Sequence, residues 1–162
     1  MKIRKSTIND LEDILKIYAI ARKYMKETGN PNQWKDDRPR KEDIIADINN
    51  GNHYIVYDED GINGAFSFII GDDPTYSYIE GGNWLNDDKY GTLHKVASAQ
   101  TKRDILSFIL SYCSNLIDNI RIDTHEDNKI MQHLILKNGF TKCGIIYLLD
   151  GEPRIAYQKK FR

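Results

Sequence analysis

Hydrophobic residues in the N-terminal third of the chain recur at helical spacing. Across residues 11–25 the apolar side chains fall on one face of a helix, and Thr7 followed by Asp10 marks where that helix begins. A shorter helix is predicted around residues 44–48, where the isoleucines share one face. A short strand around Ile3 precedes both, so the chain opens in the order strand, helix, helix.

The middle of the chain alternates between strand and turn signals. Two β-rich runs, 53–57 and 62–70, flank an Asp-Gly turn, a combination that predicts a β-hairpin. Residues 75–80 follow an Asp-Pro pair and fit either one helical turn or a brief strand. After a loop, residues 92–98 form a further predicted strand.

The C-terminal half has the clearest pattern. A helical stripe runs over residues 105–117, a short strand covers 120–124, and a second helix covers 130–135. Residues 141–148 and 153–159 make a second hairpin around another Asp-Gly pair. A strand–helix–strand unit favours parallel pairing, whereas hairpins are antiparallel.

These elements predict an α/β fold with a mixed, mostly antiparallel central sheet and helices on both faces. The predicted order is β-α-α-β-β-β-α-β-α-β-β. No internal repeat and no linker divides the chain, so residues 1–162 are expected to form a single domain.

Composition narrows the classes of function. The formal net charge is −1, so no global field would attract nucleic acid or a membrane. No apolar run reaches the length of a transmembrane helix, and the polar N-terminus lacks an export signal, which together predict a cytoplasmic protein. Cys113 and Cys143 are then expected to be reduced packing residues. The histidines lack the spacing of a metal site, so no metal is expected.

Two motifs carry a resemblance to a known family. The run from Asn128 to Phe140 has the pattern Asn-x-x-(small or apolar)-x-x-Leu…Gly-Phe, in which Leu134 lies on a helix and Gly139 ends it. Residues 93–98 form a predicted strand that leads into the long helix. In this element order, the chain resembles the GNAT superfamily of N-acetyltransferases over nearly its whole length. Two shorter segments, Asn-Gln-Trp at 32–34 and the run from Glu80 to Asn86, are similar to segments of a group of small bacterial members of this family. The acceptors of that group are mostly unassigned.

The resemblance implies a GNAT-like V-shaped cleft between two parallel strands, and acetyl-CoA as the cosubstrate. The pantetheine arm would add to the splayed strand like an extra strand, and the pyrophosphate would meet the N-terminus of the next helix. The cofactor-binding residues expected from it are Lys95, Val96, Ala97, Ser98, Thr101, Lys102, Arg103, Asp104, Ile105, Leu106, Asn128 and Met131.

The chain departs from the family pattern at two places. The family usually carries Gln/Arg-x-x-Gly-x-Gly/Ala in the phosphate loop, but residues 101–106 contain no glycine. Asp104 would repel phosphates if it pointed at them, and Lys102 with Arg103 would offset it. An ordinary helix start, with Thr101 as N-cap and Asp104 as the third residue, explains the segment equally well. The tyrosine that many members use to protonate the thiolate is replaced by Ile135.

Acetylation needs a base, because a neutral amine must attack the thioester. His94 is the first candidate, since histidine titrates near neutral pH and the family often places its base on this strand. Glu80, in the loop before Gly81-Gly82, is the second candidate. If it does not take the proton, it would bind a cationic acceptor. His125, which follows strand 120–124, is the third. Each of the three also has an ordinary structural explanation.

The favoured function is therefore transfer of an acetyl group from acetyl-CoA to a primary amine of a small molecule or a protein. The alternative is a catalytically silent acyl-CoA-binding or interaction protein on the same fold, which the missing glycines and tyrosine favour. Nucleic acid and membranes are not expected as partners, and a homodimer stays an open alternative.

Overall fold

The strands and helices follow the predicted order. The computed structural model describes residues 1–162. The elements are β1 (Lys2–Lys5), α1 (Leu11–Glu27), α2 (Lys41–Asn49), β2 (His53–Asp58), β3 (Gly61–Ile70), β4 (Gly91–Ser98), α3 (Ile105–Ser114), β5 (Asn119–Thr124), α4 (Lys129–Lys137), β6 (Thr141–Tyr147) and β7 (Pro153–Lys160).

All seven strands belong to one sheet, in the order β1-β2-β3-β4-β5-β7-β6. Both predicted hairpins are present, as β2–β3 and β6–β7. The pair β4–β5 is parallel and every other pair of neighbours is antiparallel. The prediction of a mixed, mostly antiparallel sheet is therefore confirmed.

The parallel pair separates soon after it forms. β4 and β5 pair only over Gly91–Leu93 and Ile120–Ile122, although β4 continues to Ser98 and β5 to Thr124. Beyond Leu93 and Ile122 the two strands no longer pair with each other, which opens a fork in the middle of the sheet. This is the predicted V-shaped cleft, and the edge of β4 that faces it has no strand partner.

Helices cover both faces of the sheet, as predicted. On one face α1 and α2 bury Ile14, Tyr18 and Ile44 against Ile55 of β2. On the other face α3 and α4 pack on a larger core that includes β3, β4 and β5. A capping box formed by Thr7 and a carboxylate in the following 3-10 turn fixes the entry into α1, as the sequence indicates. None of the helices is long and apolar enough to cross a membrane.

Three local expectations need correction or completion. Residues 74–76 form one 3-10 turn, which agrees with the helical alternative for this segment, and Glu80 makes an isolated bridge to Ile145. α3 ends at Ser114, where the chain turns before β5, rather than at residue 117. The ordinary helix start with Thr101 as N-cap is wrong, because α3 begins only at Ile105 and Asp104 is itself the N-cap.

Candidate active site

Two cavities meet at the fork. The larger, about 450 Å³, lies between α1, the end of β4, the start of α3 and α4. The smaller, about 250 Å³, lies under the loop between α1 and α2 and reaches the ends of β4, β5 and β7. We call the larger cavity the slot and the smaller one the acceptor cavity, after the amine acceptor that the sequence analysis predicts. Both are lined by Met25, Val96, Asn128 and Met131, so these four residues mark the junction.

His94 and Asp73 form a hydrogen-bonded pair beside the acceptor cavity. His94 follows Leu93, which is the last residue of β4 that pairs with β5. The His94 Nε2 atom lies 3.0 Å from Asp73 Oδ2. Burial would raise the pKa of Asp73, but hydrogen bonds from His94 and Thr75 outweigh it and lower that pKa to about 2. Asp73 is therefore an ionised acceptor at neutral pH, so His94 Nε2 carries the proton. His94 Nδ1 has no protein partner.

Asp123 is the corresponding residue on β5, and it also lines the acceptor cavity. The buried Tyr76 donates a hydrogen bond of 2.6 Å from its hydroxyl to Asp123 Oδ2. Burial, with Asp123 alongside, raises the pKa of Tyr76 well above its usual value, so the phenol stays protonated. The 3-10 turn that contains Tyr76 thus contacts both arms of the fork. Asp73, at its start, binds His94 of β4, and the Tyr76 hydroxyl donates to Asp123 of β5.

β4 bulges at Lys95, just beyond His94. Lys95 has a φ of 53°, and the register with β3 shifts between Ala65 and Ser67. A left-handed conformation is unfavourable for lysine, so surrounding contacts must hold it. Lys95 Nζ donates to Asp47 Oδ2 at 2.8 Å, and Ser67 Oγ donates to the same oxygen at 2.6 Å.

A buried chain of hydrogen bonds holds the backbone of the same bulge. The Tyr18 hydroxyl donates to the Lys95 carbonyl at 2.8 Å, so it must accept from His53 Nε2, 2.9 Å away. Ser6 Oγ then donates to His53 Nδ1 at 2.7 Å. Burial is the main cause that lowers the pKa of His53 to about 4, and Lys95 adds to it while Asp47 opposes it. The chain needs His53 in its neutral form.

Most of the predicted cofactor-binding residues line the slot. Val96, Ala97 and Ser98 come from β4, while Lys102, Asp104, Ile105 and Leu106 come from the following loop and helix, and Asn128 and Met131 from α4. Lys95 lines the acceptor cavity instead, whereas Thr101 and Arg103 line neither cavity.

The loop before α3 presents a run of free backbone donors. The N–H groups of residues 101–107 donate to no protein acceptor, and the first turn of α3 has no side-chain cap. Asp104 has a φ of 58° and Gln100 a φ of 62°, values that favour glycine. The loop thus takes a glycine-like conformation without glycine. Free N–H groups at a helix N-terminus are suited to bind an anion such as a phosphate.

The basic side chains of this loop are not all available. Lys102 Nζ lies 2.9 Å from Asp60 Oδ2 and 3.4 Å from Asp58 Oδ2, and these carboxylates raise its pKa. Arg103 is exposed and makes no hydrogen bond or ion pair with the protein. The anion-binding capacity of the loop therefore rests mainly on its backbone.

The other two predicted bases lie outside both cavities. Glu80 is exposed, its backbone bridges Ile145 of β6, and its carboxylate accepts a hydrogen bond from Tyr147. His125 Nδ1 accepts from the backbone N–H of Asp127 at 3.0 Å, within the turn that precedes α4. Neither Glu80 nor His125 therefore lines the cavity that His94 lines.

The two tryptophans have different surroundings. Trp34 lines the acceptor cavity and packs edge-on against Tyr18, with 5.7 Å between ring centroids. Trp84 donates from its indole N–H to the Tyr76 carbonyl and covers the buried Arg121, whose guanidinium carbon lies 4.0 Å from the ring centroid. Trp84 therefore fixes the Tyr76 turn from outside the cavity.

Several residues of the site escaped the sequence analysis. Asp73 entered the sequence analysis only as part of an Asp-Pro pair, and Asp123 only as a residue of the strand over 120–124. Tyr18 lies on the buried helical stripe and carries no separate signal. Gln33 belongs to the Asn-Gln-Trp segment, but nothing in the sequence shows that its side-chain oxygen accepts from Thr124 of β5 and from Asn128 at the start of α4.

Solved structures of known proteins share this architecture. A GNAT-family acetyltransferase from Streptococcus agalactiae 2603 is 32% identical, with a TM-score of 0.86 over 99% of this chain and 95% of the other. A GNAT-family acetyltransferase from Bacillus cereus ATCC 10987 is 25% identical, with a TM-score of 0.60 over 99% and 98%. One from Listeria monocytogenes 4b F2365 is 20% identical, with a TM-score of 0.73 over 98% and 94%. The chain matches no protein-family model and no curated protein.

Proposed function

Because this chain belongs to the GNAT family of acetyltransferases, we propose that it transfers the acetyl group of acetyl-CoA to a primary amine of a small molecule or a protein. The observation that carries the proposal is the meeting of two cavities at the fork, with the His94–Asp73 pair beside one of them. A thioester bound in the slot and an amine bound in the acceptor cavity would come together at this junction.

The slot fits the chemistry of acetyl-CoA. Beyond Leu93 the edge of β4 that faces the fork has no strand partner. The Lys95 carbonyl accepts from Tyr18, but the edge that follows it, at residues 96–98, is available for the amides of a pantetheine arm. The free N–H groups of residues 101–107 suit a pyrophosphate. Bound there, acetyl-CoA would supply an activated acyl group as a thioester. We propose that Val96, Ala97 and Ser98 hold the pantetheine arm, and that Asn128 and Met131 border the thioester.

We propose His94 as the general base. Its Nε2–H donates to Asp73, which fixes the tautomer and leaves Nδ1 as the proton acceptor. The ionised Asp73 also stabilises the imidazolium that forms when Nδ1 takes a proton, as a carboxylate does in a catalytic triad. Asp73 is therefore a positioning residue and His94 the group that receives the amine proton, directly or through water.

The bonds and charges of the transfer balance with these groups. The amine nitrogen forms a bond to the thioester carbon, the carbon–sulfur bond breaks, and sulfur leaves with the electron pair. His94 holds the proton lost by nitrogen, and that proton is finally delivered to the thiolate directly or through solvent. Ile135 is fully buried in the core and supplies no acid for this last step.

A second candidate, a silent acyl-CoA-binding protein, is favoured by the same Ile135 and by Asp104 at the phosphate loop. A thiol-release assay with acetyl-CoA and a panel of primary amines separates the two functions. The enzyme should release CoA thiol in proportion to the amine acetylated, whereas a silent protein binds acetyl-CoA without amine-dependent release. If acetyl-CoA does not bind at all, both functions are wrong.

A further inference from the structure

The side-chain amide of Gln33 is held by three donors. Its Oε1 accepts from Asn30 Nδ2 at 2.9 Å, from Asn128 Nδ2 at 2.9 Å and, at the longer distance of 3.4 Å, from Thr124 Oγ1. Thr124 ends β5, and Asn128 is the N-cap of α4. Gln33 thus ties the loop between α1 and α2 to the β5 arm of the fork.

The start of α4 determines which way this amide faces. Asn128 Oδ1 accepts the backbone N–H of Met131 at 3.0 Å, a helix-capping bond that only the oxygen can make. Asn128 Nδ2 is therefore the donor toward Gln33, and the atom it meets must be the Gln33 oxygen. The assignment of oxygen and nitrogen in Gln33 thus follows from backbone geometry.

This orientation leaves Gln33 Nε2 free. Gln33 lines the acceptor cavity, is half-buried, and its Nε2 has no hydrogen-bond partner in the protein. An amide nitrogen carries two N–H donors and no acceptor. Gln33 therefore offers two neutral donors, held in place by its own oxygen, on the opposite arm of the fork from His94.

The cationic side chains around the acceptor cavity are largely neutralised. Four of them line it, and each lies within ion-pair distance of a carboxylate, but Lys35 and Arg154 share Glu152, so three carboxylates offset four cations. The pairs are Lys35–Glu152 at 2.9 Å, Arg38–Asp37 at 2.7 Å, Lys95–Asp47 at 2.8 Å and Arg154–Glu152 at 3.3 Å.

Some of the acidic side chains have no such partner. Asp43, Asp123 and Asp150 line the same cavity and form no ion pair with the protein. These carboxylates favour an ammonium group and oppose a carboxylate on the same ligand. The cavity thus combines an acidic lining with the neutral N–H donors of Gln33.

We propose that Gln33 Nε2 donates a hydrogen bond to a neutral carbonyl oxygen of the acceptor, and that the acceptor is an amine bearing such a carbonyl rather than a free amino acid. This inference rests on the proposed function, because it assigns the amine to the His94 side of the same cavity. Amino amides and peptide N-termini both carry this chemistry.

Gln33→Glu is the sharpest variant. It keeps an oxygen for the donors from Asn30, Asn128 and Thr124, and it replaces the N–H donors with a second acceptor. Its melting temperature should stay close to that of the wild type, which excludes loss of folding as the cause of any change. Gln33→Met, which removes the oxygen as well, should melt at a lower temperature because it leaves buried donors unpaired.

Three acceptors of nearly equal size test the carbonyl. They are alaninamide, 3-methylbutan-2-amine, which lacks the oxygen, and alanine, which carries a carboxylate. We expect alaninamide to have the lowest KM, with each KM expressed for the unprotonated amine. Gln33→Glu should raise the KM for alaninamide about tenfold, with a smaller change in kcat, and should leave the KM for 3-methylbutan-2-amine unchanged or lower. Tripeptide amides compared with alaninamide distinguish a peptide from a small-molecule source.

Binding is measured independently of turnover through the Gln33 side-chain amide resonances in NMR titrations. Alaninamide should shift these resonances at lower concentration than 3-methylbutan-2-amine. Equal affinities for the two amines, no binding of alaninamide, or a lower KM for alanine would each overturn the inference. The proposed function fails by a different result, namely the absence of acetyl-CoA binding or of acetylation of any amine.

Discussion

The two cavities at the fork differ in the kind of group that each offers to a ligand. The groups that we assign to ligand binding in the slot are backbone groups, namely the unpaired edge of β4 and the free N–H groups of residues 101–107. The acceptor cavity is formed by polar side chains with defined partners, such as His94 with Asp73 and Gln33 with Asn128. One region depends on where the main chain runs, and the other on which side chains are present.

This difference explains how the loop that we propose to bind phosphates can lack glycine. Backbone N–H groups are present whatever the side chains are, provided that the chain keeps its course. Asp104 and Gln100 adopt positive φ, so the loop keeps the conformation that glycine would otherwise permit. We therefore expect substitutions in the acceptor cavity to affect turnover strongly, and side-chain changes in the slot to affect acetyl-CoA affinity weakly.

The largest effect is expected at His94. His94→Asn should lower kcat/KM by about 10²- to 10⁴-fold, the usual contribution of a general base, and leave the Kd for acetyl-CoA within about twofold. The acid limb of the kcat/KM–pH profile should disappear. Asp73→Asn should cause a smaller loss, because it removes the orienting charge and not the base.

Matched variants outside the cavities serve as controls for this comparison. Glu80→Gln and His125→Asn, which change the other two residues predicted as bases, should keep most of the activity. The acceptor's own ionisation could produce a similar pH limb, so acceptors of different amine pKa must be compared. An active His94→Asn enzyme whose pH limb follows the acceptor would assign His94 a structural role only.

The next effect concerns stability, and it arises at the Lys95 bulge beside the acceptor cavity. The pKa of His53 is about 4 in the folded protein against about 6.5 in the unfolded chain. Between pH 6.5 and 4 the unfolded chain therefore binds a proton that the folded protein does not. We expect the free energy of unfolding to fall by about 3 kcal/mol across this range and to level off with respect to His53 below it.

Urea unfolding at a series of pH values measures this loss. His53→Gln should be less stable at pH 7 but should lose little further stability between pH 6.5 and 4. Asp10 and Asp73 each have a pKa of about 2, so their contribution is lost only below about pH 4 and does not overlap. A wild-type curve that is flat between pH 6.5 and 4 would show that His53 is not held neutral.

The smallest effect is expected in the slot. Asp104→Gly should strengthen acetyl-CoA binding by roughly two- to fivefold, because it removes a negative charge from the phosphate loop and fits the positive φ. Asp104→Asn should give a similar gain without added flexibility. Replacement of both Lys102 and Arg103 by alanine should weaken binding by less than about threefold, since Lys102 is paired with Asp58 and Asp60. Weaker binding in Asp104→Gly would contradict this assignment.

The fold was predictable because its signals are local. Apolar periodicity located the helices, Asp-Gly turns located both hairpins, and the helix between β4 and β5 indicated their parallel pairing. The site was less accessible. Asp73 reaches His94 only because the 3-10 turn after β3 folds back over β4, and no local pattern records that approach.

Two further features had no sequence signal that could be interpreted. A left-handed lysine is unfavourable in isolation, so the bulge at Lys95 depends on Tyr18 and Asp47, which come from distant helices. The free nitrogen of Gln33 depends likewise on the cap of α4. Residues whose roles come from such long-range contacts cannot be assigned from one sequence.

The most direct test of the central claim is an amide NMR titration of the protein with acetyl-CoA. We expect saturable shifts concentrated on the backbone N–H groups of residues 96–98 and 101–107, with a stoichiometry of about one per chain. The same shifts should appear in His94→Asn, because we assign acetyl-CoA binding to backbone groups. Absence of saturable shifts, or shifts centred away from the fork, would contradict the assignment of this slot to acetyl-CoA.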